Sequence, residues 1–538
     1  MTPAEALATA QTWLEAEPDE DVRAELRALL AAPTDELVDR FSGRLTFGTA
    51  GLRAPVGAGP RRMNRLVVRQ AAAGLAAYVR DAEPDSAARG IVIGYDARRK
   101  SDVFALDTAR VVAAAGLRVR VLPTALPTPV LAWTLLELGA AAGVMVTASH
   151  NPPADNGYKV YLGDGAQIVS PRDVEIATQI ASVEPTRVEL AATDDPLIEV
   201  LDPSIVDRYV AAAAAVRLRS DVPGVAVAYT PMHGVAGAIA LRAFAAAGLP
   251  GPAVVGAQAE PDAAFPTVAF PNPEEPGAMD LVVELAVERR AALALANDPD
   301  GDRLGAAVPQ ADGSWRRLGG DEIGWLLAEH ILRHTTGDDR LVVTTLVSSS
   351  LLGRMAADHG VHFAETYTGF KWMGRAILER PELRCVFAYE QALGYLVAPP
   401  PAGPLDKDGI SAAVLLAEIA AVAEENGTTV QGRLDEIAAR YGRYVIAERS
   451  VEMASHDAAE VLLALQQAPP TDLAGLAVED VVWFEEATLL RLVLHGGTRL
   501  QLRPSGTEPK LKLYAESIAT DPTPALQALE DTVLKRFQ

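Results

Sequence analysis

Residues 91–150 read IVIGYDARRKSDVFALDTARVVAAAGLRVRVLPTALPTPVLAWTLLELGAAAGVMVTASH, and the rhythm of this stretch decides the fold. Ile91–Tyr95, Val119–Leu122 and Gly143–Val146 are apolar runs of strand length. Between them, Val103–Ala115 and Pro129–Leu138 carry apolar residues at helical spacing. Short apolar strands alternating with helices predict right-handed βαβ crossovers and a sheet covered on both faces. The stretch runs into Thr147-Ala148-Ser149-His150-Asn151-Pro152, a polar island just past a strand's carboxyl end, where open α/β sheets hold ligands.

The same pattern returns twice. Strands are expected over Val225–Tyr229, Ala253–Val255 and Ala291–Ala296, with helices over Gly237–Gly248 and Met279–Arg289. A third round has strands at Leu341–Thr345, His362–Glu365 and Cys385–Ala388, with helices near Leu351–Asp358 and Lys371–Glu379. Beyond Tyr441 the character changes. Tyr444–Met453, Val481–Glu485, Leu489–His495, Thr498–Leu502 and Lys510–Glu516 read as strands, with one helix over Asp457–Gln467. Short links such as His495-Gly496-Gly497 favour antiparallel pairing. The expected organisation is therefore α/β: residues 1–203, 204–314 and 315–440 as three α/β mixed-sheet domains, and 441–538 as an α+β domain. The first thirty residues read as polar helix, and a Gly-rich loop follows from Phe47 to Gly59.

A length of 538 residues fits roughly three or four domains at about 150 residues each. Net charge is −23, a field that opposes nucleic-acid phosphates and anionic membranes. An anionic substrate would then need its own local cluster of Arg and Lys. Cys385 is the single cysteine, so no intrachain disulfide forms, and its strand-like surroundings predict a buried, inert thiol. The N-terminus has no basic and apolar leader pattern. The longest apolar stretch, Val130 to Val146, is interrupted by Glu137 and is short for a membrane span. A soluble, cytoplasmic protein is the expectation.

Further islands carry chemistry. Asp298-Pro299-Asp300-Gly301-Asp302-Arg303 sets carboxylates on alternate positions, with Pro and Gly favouring a tight curl. Three such charges repel one another unless a dication sits between them. An EF-hand loop fits poorly, because Gly301 stands at position 4 and a strand precedes it. Three Asp ligands leave octahedral positions open and suit Mg²⁺. Arg503-Pro504-Ser505-Gly506-Thr507-Glu508-Pro509-Lys510 offers a guanidinium, hydroxyls and backbone N–H groups to a phosphate. Ser149 offers a hydroxyl nucleophile that needs a base or metal, and His150, Asn151, Asn156 and Lys159 stand close by in sequence. Lys159 is the candidate base, or a general acid and base toward a substrate hydroxyl. Arg53 in Phe47-Gly48-Thr49-Ala50-Gly51-Leu52-Arg53 makes that Gly-rich loop a further phosphate candidate. Glu390 follows an apolar strand in Tyr389-Glu390-Gln391-Ala392-Leu393-Gly394-Tyr395 and can accept hydrogen bonds from a polyol. Thr368-Gly369-Phe370-Lys371 and Asp406-Lys407-Asp408-Gly409 lie near it in sequence; helix caps and turns explain those residue types equally well.

The islands TASHNP, DPDGDR, YEQALGY and RPSGTEPK, in this order, resemble those of the α-D-phosphohexomutase superfamily, which includes phosphoglucomutases and phosphomannomutases. FGTAGLR, VGAGPRRMN and FPTVAFPNPEEP are similar to its longer bacterial branch, and the likeness runs from about Phe47 to the C-terminus. The resemblance implies four domains around a central cleft. It implies that hexose 1-phosphate and 6-phosphate interconvert through a phosphoserine enzyme and a sugar 1,6-bisphosphate, which also serves as activator. Ser149 would carry the phosphoryl group, and Asp298, Asp300 and Asp302 would hold Mg²⁺ together with an oxygen of that group. Arg53 and Lys159 match residues that assist proton transfer, with His150 beside the nucleophile. Arg303 matches a residue near the reacting phosphate. Thr368, Gly369, Lys371, Glu390, Gln391 and Lys407 would meet the sugar. Arg503, Ser505, Gly506 and Thr507 would grip the non-reacting phosphate. Ala392 departs from the many relatives that carry Ser there, so hexose selectivity does not transfer. A phosphopentomutase and a sugar-bisphosphate synthase are the alternatives; a non-catalytic phosphosugar-binding protein would be expected to have lost Ser149 or a metal Asp. The partner is a small phosphosugar, with no nucleic acid or membrane.

Overall fold

A computed structural model describes the chain apart from residues 506–508 and 538. Four sheets organise it. The first has the order Leu52–Pro55, Asp155–Leu162, Ala142–Val146, Ile91–Tyr95, Val119–Val121, Ile198–Val200. The second runs Trp315–Arg317, Leu304–Pro309, Leu293–Asn297, Val227–Thr230, Ala253–Val254. The third runs His362–Thr366, Arg340–Thr345, Arg384–Glu390, Gly394–Leu396. The strands and helices expected in these three units stand within a few residues of where the apolar periodicities place them, while the strands Asp155–Leu162, Leu304–Pro309 and Gly394–Leu396 and the helices Arg65–Ala82, Gly320–His334 and Gly409–Glu425 are additional to those expected.

One feature recurs in these three sheets and positions the site. The strand that leads into each polar island is followed by an antiparallel return strand. Ala142–Val146 pairs with Asp155–Leu162, Leu293–Asn297 with Leu304–Pro309, and Arg384–Glu390 with Gly394–Leu396. The serine, aspartate and glutamate islands are thus hairpin tips, not strand-to-helix turns. A hairpin holds its tip from both ends, so the polar residues there are fixed by the ladder of backbone hydrogen bonds between its two strands.

The first three units share one continuous core. Its centre is the helix Gly409–Glu425, whose residues Gly409 to Ala423 are all buried, so Leu, Val and Ala cover every side of it. It packs against helices Ser204–Ala214, Gly237–Ala246 and Gly320–His334. The one buried carboxylate on this helix, Glu418, receives Arg217 Nε at 2.9 Å, the Leu218 and Arg219 amides, and lies 2.8 Å from His330 Nε2. The last sheet is antiparallel throughout, in the order Tyr444–Glu452, Lys510–Ile518, Arg499–Pro504, Leu489–Leu494, Leu476–Phe484, Asp472–Leu473. Its own core lies under helices Ser455–Gln467 and Thr523–Phe537, and Leu489 and Tyr514 pack against Leu346 and Val347 of the third unit.

The N-terminal segment differs from the single polar helix expected. It breaks at Glu17-Pro18-Asp19 into Pro3–Ala16 and Glu20–Ala31, because Pro18 cannot continue a helix and Asp19 caps the next one through the Asp21 amide. A third helix, Asp35–Phe41, follows, and Trp13 meets Phe41 edge-on at 6.0 Å. Cys385 is buried as expected. Among the described residues, no helix is long and apolar enough to cross a membrane.

Candidate active site

Ser149 sits at the first hairpin tip with φ +55°, a left-handed backbone that a non-glycine residue adopts at a cost of about 1–2 kcal/mol. Arg98 holds it there. Its guanidinium donates to the carbonyls of Ser149 (2.7 Å), Asn151 (2.6 Å), Pro152 (2.9 Å) and Asp155 (3.1 Å). Asp96 completes the brace: it accepts from the Thr147 hydroxyl at 2.6 Å, and the Thr147 oxygen in turn accepts the Ser149 amide at 2.8 Å. Phe265 lies over the Arg98 guanidinium at 5.1 Å. Asp96 and Arg98 follow the strand Ile91–Tyr95 directly. The rule that flagged Ser149, polar residues just past a strand end, applies to them too, yet they are not among the residues that the sequence singles out.

The hairpin of the second sheet brings its three carboxylates to the serine. Ser149 Oγ is 3.1 Å from Asp298 Oδ2 and 3.2 Å from His150 Nδ1. Asp298, Asp300 and Asp302 are fully buried, and one oxygen from each lies within 4.8 Å of the others. Asp300 Oδ2 accepts from Thr128 Oγ1 and Lys159 Nζ, both at 2.7 Å, and Asp302 Oδ2 accepts from Lys159 at 3.0 Å and pairs with Lys407 at 2.8 Å. The second oxygens, Asp300 Oδ1 and Asp302 Oδ1, are buried without a hydrogen-bond partner. Buried carboxylate oxygens without donors are costly. Two of them beside a third carboxylate fit a hard dication, and the all-oxygen donor set suits Mg²⁺. Burial, reinforced by repulsion from Asp300 and Asp302, pushes the Asp298 carboxyl well above its usual range, as expected for this cluster without a cation. Burial, aided by Arg303 and Arg53, pushes the His150 imidazole well below its usual range, so it is neutral beside Ser149.

The third hairpin closes the opposite wall. The Arg303 side chain donates to the Ala392 carbonyl, and Arg303 forms a backbone bridge with Gly394. The aspartate loop and the sugar-recognition candidate are therefore physically joined. Glu390 is 5% exposed at the end of its strand, and Lys407 packs against the same glycine, Gly394. Lys371 donates to Thr49 in the Gly-rich loop, while Thr368 and Gly369 form the turn before its helix, Phe370–Leu378. Arg53 donates to Asn151 Oδ1 at 3.3 Å. The structure thus gathers Ser149, His150, Lys159, Arg53, Arg303 and Lys407 around the aspartates, with Glu390 near Arg303 and Lys407, while Lys371 meets Thr49 of the Gly-rich loop. Gln391 differs: its side-chain oxygen accepts from Ser348 Oγ at 3.0 Å and is committed to the protein. Arg503 lies over the Tyr514 ring at 5.9 Å with its Nε buried and unpartnered, and the Ser505 amide donates to the Lys510 carbonyl at 2.7 Å. Gly506 and Thr507 fall outside the described residues.

The Gly-rich loop requires its glycine at Gly51. Gly51 has φ +73°, and a Cβ there would stand 1.8 Å from the Tyr158 carbonyl oxygen. Gly51→Ala should therefore shift the backbone two residues before Arg53. A lowered melting temperature and a loss of turnover larger than the loss of stability explains are expected; an unchanged melting curve would show that the loop is not held as described.

The chain belongs to the phosphoglucomutase/phosphomannomutase family. The models for its α/β/α domains I, II and III match residues 44–187, 207–313 and 319–441, and the model for its C-terminal domain matches 451–535. A Haemophilus influenzae protein named "Probable phosphomannomutase" is 41% identical, covering 88% of this chain and 96% of that protein. A Mus musculus phosphopentomutase is 34% identical, covering 93% of this chain and 88% of the relative. The fold is that of a phosphoglucomutase/phosphomannomutase family protein from Burkholderia thailandensis, with TM-score 0.72 at 22% identity, covering 91% of this chain and 97% of that one.

Proposed function

We propose that the protein is a phosphosugar mutase interconverting hexose 1-phosphate and hexose 6-phosphate through phosphorylated Ser149. The observation that carries this reading is the pairing of one braced serine hydroxyl, 3.1 Å from Asp298, with three buried carboxylates, two of which have an oxygen without a partner. In the first step the Ser149 Oγ–P bond breaks and a bond forms between phosphorus and the sugar's free hydroxyl oxygen, giving a 1,6-bisphosphate. The hydroxyl proton passes to the amine of Lys159, acting as base with Arg53 beside it, and the departing Ser149 oxygen is protonated in exchange. His150, neutral by burial, orients the Ser149 oxygen. After the bisphosphate turns over, its other phosphate returns to Ser149. Asp298, Asp300 and Asp302 would hold Mg²⁺, which when bound neutralises charge on the transferring group. Arg53, Arg98, Arg303, Lys159 and Lys407 supply the local cations that a chain of net charge −23 needs for an anionic substrate. Water must be kept from phosphoserine, which fits the burial of Ser149 at 2% exposure.

Glu390 would hold sugar hydroxyls, with Thr368, Gly369, Lys371 and Lys407 around it, and Arg503 with the Ser505–Thr507 loop would grip the second phosphate. A phosphopentomutase is the second reading. It is favoured by Ala392, whose carbonyl is taken by Arg303 and whose side chain offers no hydroxyl to a hexose. Turnover of glucose, mannose, glucosamine and ribose 1-phosphates, with and without the matching bisphosphate, decides between them. Net accumulation of bisphosphate from a separate donor would instead make it a sugar-bisphosphate synthase.

Arg503→Ala should remove a charge-assisted contact of about 1.5–3 kcal/mol from the remote phosphate. KM should rise about tenfold or more while Ser149 is still phosphorylated at saturating bisphosphate. An unchanged KM, or loss of that phosphorylation, would mean that Arg503 is not a remote phosphate grip.

A further inference from the structure

The turn Leu346–Ser350, between the strand Arg340–Thr345 and the helix Leu351–Asp358, is bonded to both recognition ends of the cleft. On one side it meets the last sheet. Arg499 Nη2 donates to the Ser348 carbonyl at 2.7 Å, and Arg491 donates to the Leu346 carbonyl at 3.0 Å. Glu516 accepts from the Ser350 amide at 3.0 Å and also from the Ser350 hydroxyl. Arg499 and Glu516 face each other in register, 3.3 Å apart, on the two strands that also carry the Arg503 loop. Arg503 is four residues beyond Arg499 on one strand, a distance of about 13 Å along a rigid rod.

On its other side the turn holds the sugar-recognition hairpin. Ser348 Oγ donates to Gln391 Oε1 at 3.0 Å and accepts from the Gln391 amide at 3.1 Å, directly after Glu390. Asp321 Oδ1 fixes the turn from below, accepting from the Ser349 amide at 2.7 Å and from Tyr389 Oη at 2.8 Å. Ser348 and Ser349 are 0% and 1% exposed, so these bonds have no competition from water. Ser348 Oγ also lies 2.8 Å from Thr345 Oγ1, so the hydroxyl sits in a buried network, and a displacement of one partner is passed to the others.

We propose that Ser348 is a positioning residue that couples the two ends of the substrate: when the Arg503 loop takes the remote phosphate, Arg499 and Glu516 draw the Ser348–Ser350 turn into the placement that sets Gln391 and, through it, Glu390 against the sugar. Gln391 is then a link in the frame and not a substrate ligand. This inference rests on the proposal that Arg503 grips phosphate and Glu390 the sugar. It requires the two contacts to be energetically coupled through the protein.

The test is a double-mutant cycle read by calorimetry, on protein carrying Ser149→Ala so that nothing turns over. The titrant is the sugar monophosphate converted fastest in the panel above. Arg503→Ala and Glu390→Gln are combined singly and together, first with Ser348 intact. Their effects on Kd should depart from a simple product by about fivefold or more. With Ser348→Ala in every protein, the departure should fall to within about twofold, the residue being coupling through the ligand itself. Arg499→Gln is the second breaker, for use if Ser348→Ala does not fold, and it should collapse the coupling equally. Coupling that survives either breaker overturns the inference while leaving the mutase reading intact. If Arg503→Ala and Glu390→Gln each leave Kd unchanged, the substrate assignment falls and the inference falls with it.

Discussion

Ser149→Ala is expected to lose turnover by about a thousandfold or more and to show none of the phosphoryl mass expected on the wild type. The variant should remain folded. Its Cβ is already present, and the tip is held by contacts that do not use the hydroxyl: Arg98 on the Ser149 carbonyl at 2.7 Å and Thr147 on the Ser149 amide at 2.8 Å. The lost hydroxyl bonds reach His150 and Asp298, so removing them also frees a buried carboxylate from one partner. The change in stability should stay within about 1–2 kcal/mol. Intact mass and steady-state rates on one preparation separate the outcomes. Full turnover would sink the phosphoserine chemistry. A silent variant that still carries the phosphoryl mass would place the group on another residue.

Much of the frame is legible in the sequence because apolar runs of strand length are hard to disguise. Ile91–Tyr95, for example, is read to the residue. The return strands escape such a reading for a physical reason. Asp155–Leu162 carries Lys159 in its middle, and a lysine in a short run reads as a solvated end. Here that lysine is 3% exposed and pairs with Asp300 and Asp302, so tertiary charge overrides the local pattern. The same holds for Lys407, which arrives at Asp302 from a different unit. Gln391 sits in a motif with Glu390, and nothing local distinguishes a side chain that meets sugar from one that meets Ser348. Arg98 escapes because its partners are carbonyls, which every residue has and no motif records.

Asp300→Asn is expected to separate metal binding from sugar binding, and the reason lies in which oxygen is already spoken for. Asp300 Oδ2 accepts from Thr128 Oγ1 and from Lys159 Nζ, so the carbonyl of the new carboxamide must take that place. Its NH₂ group is then forced into the position of Oδ1, the buried oxygen without a partner. An amide N–H₂ cannot ligate a cation, and turning it round would set donor against donor at Lys159 and Thr128. Affinity for Mg²⁺, measured by calorimetry, should fall about tenfold to a hundredfold, and turnover by a comparable or larger factor. The Kd for sugar monophosphate should change by less than about threefold. Without metal the relief of repulsion among the carboxylates is opposed by the loss of the Asp300 charge from its buried pair with Lys159, so the reading is taken from the Mg²⁺-dependent shift and not from the metal-free melting temperature. The rise in melting temperature that Mg²⁺ gives the wild type should be absent. If Mg²⁺ stabilises Asp300→Asn as much as the wild type, or if wild type stripped with EDTA keeps full turnover, the three aspartates are not the metal site.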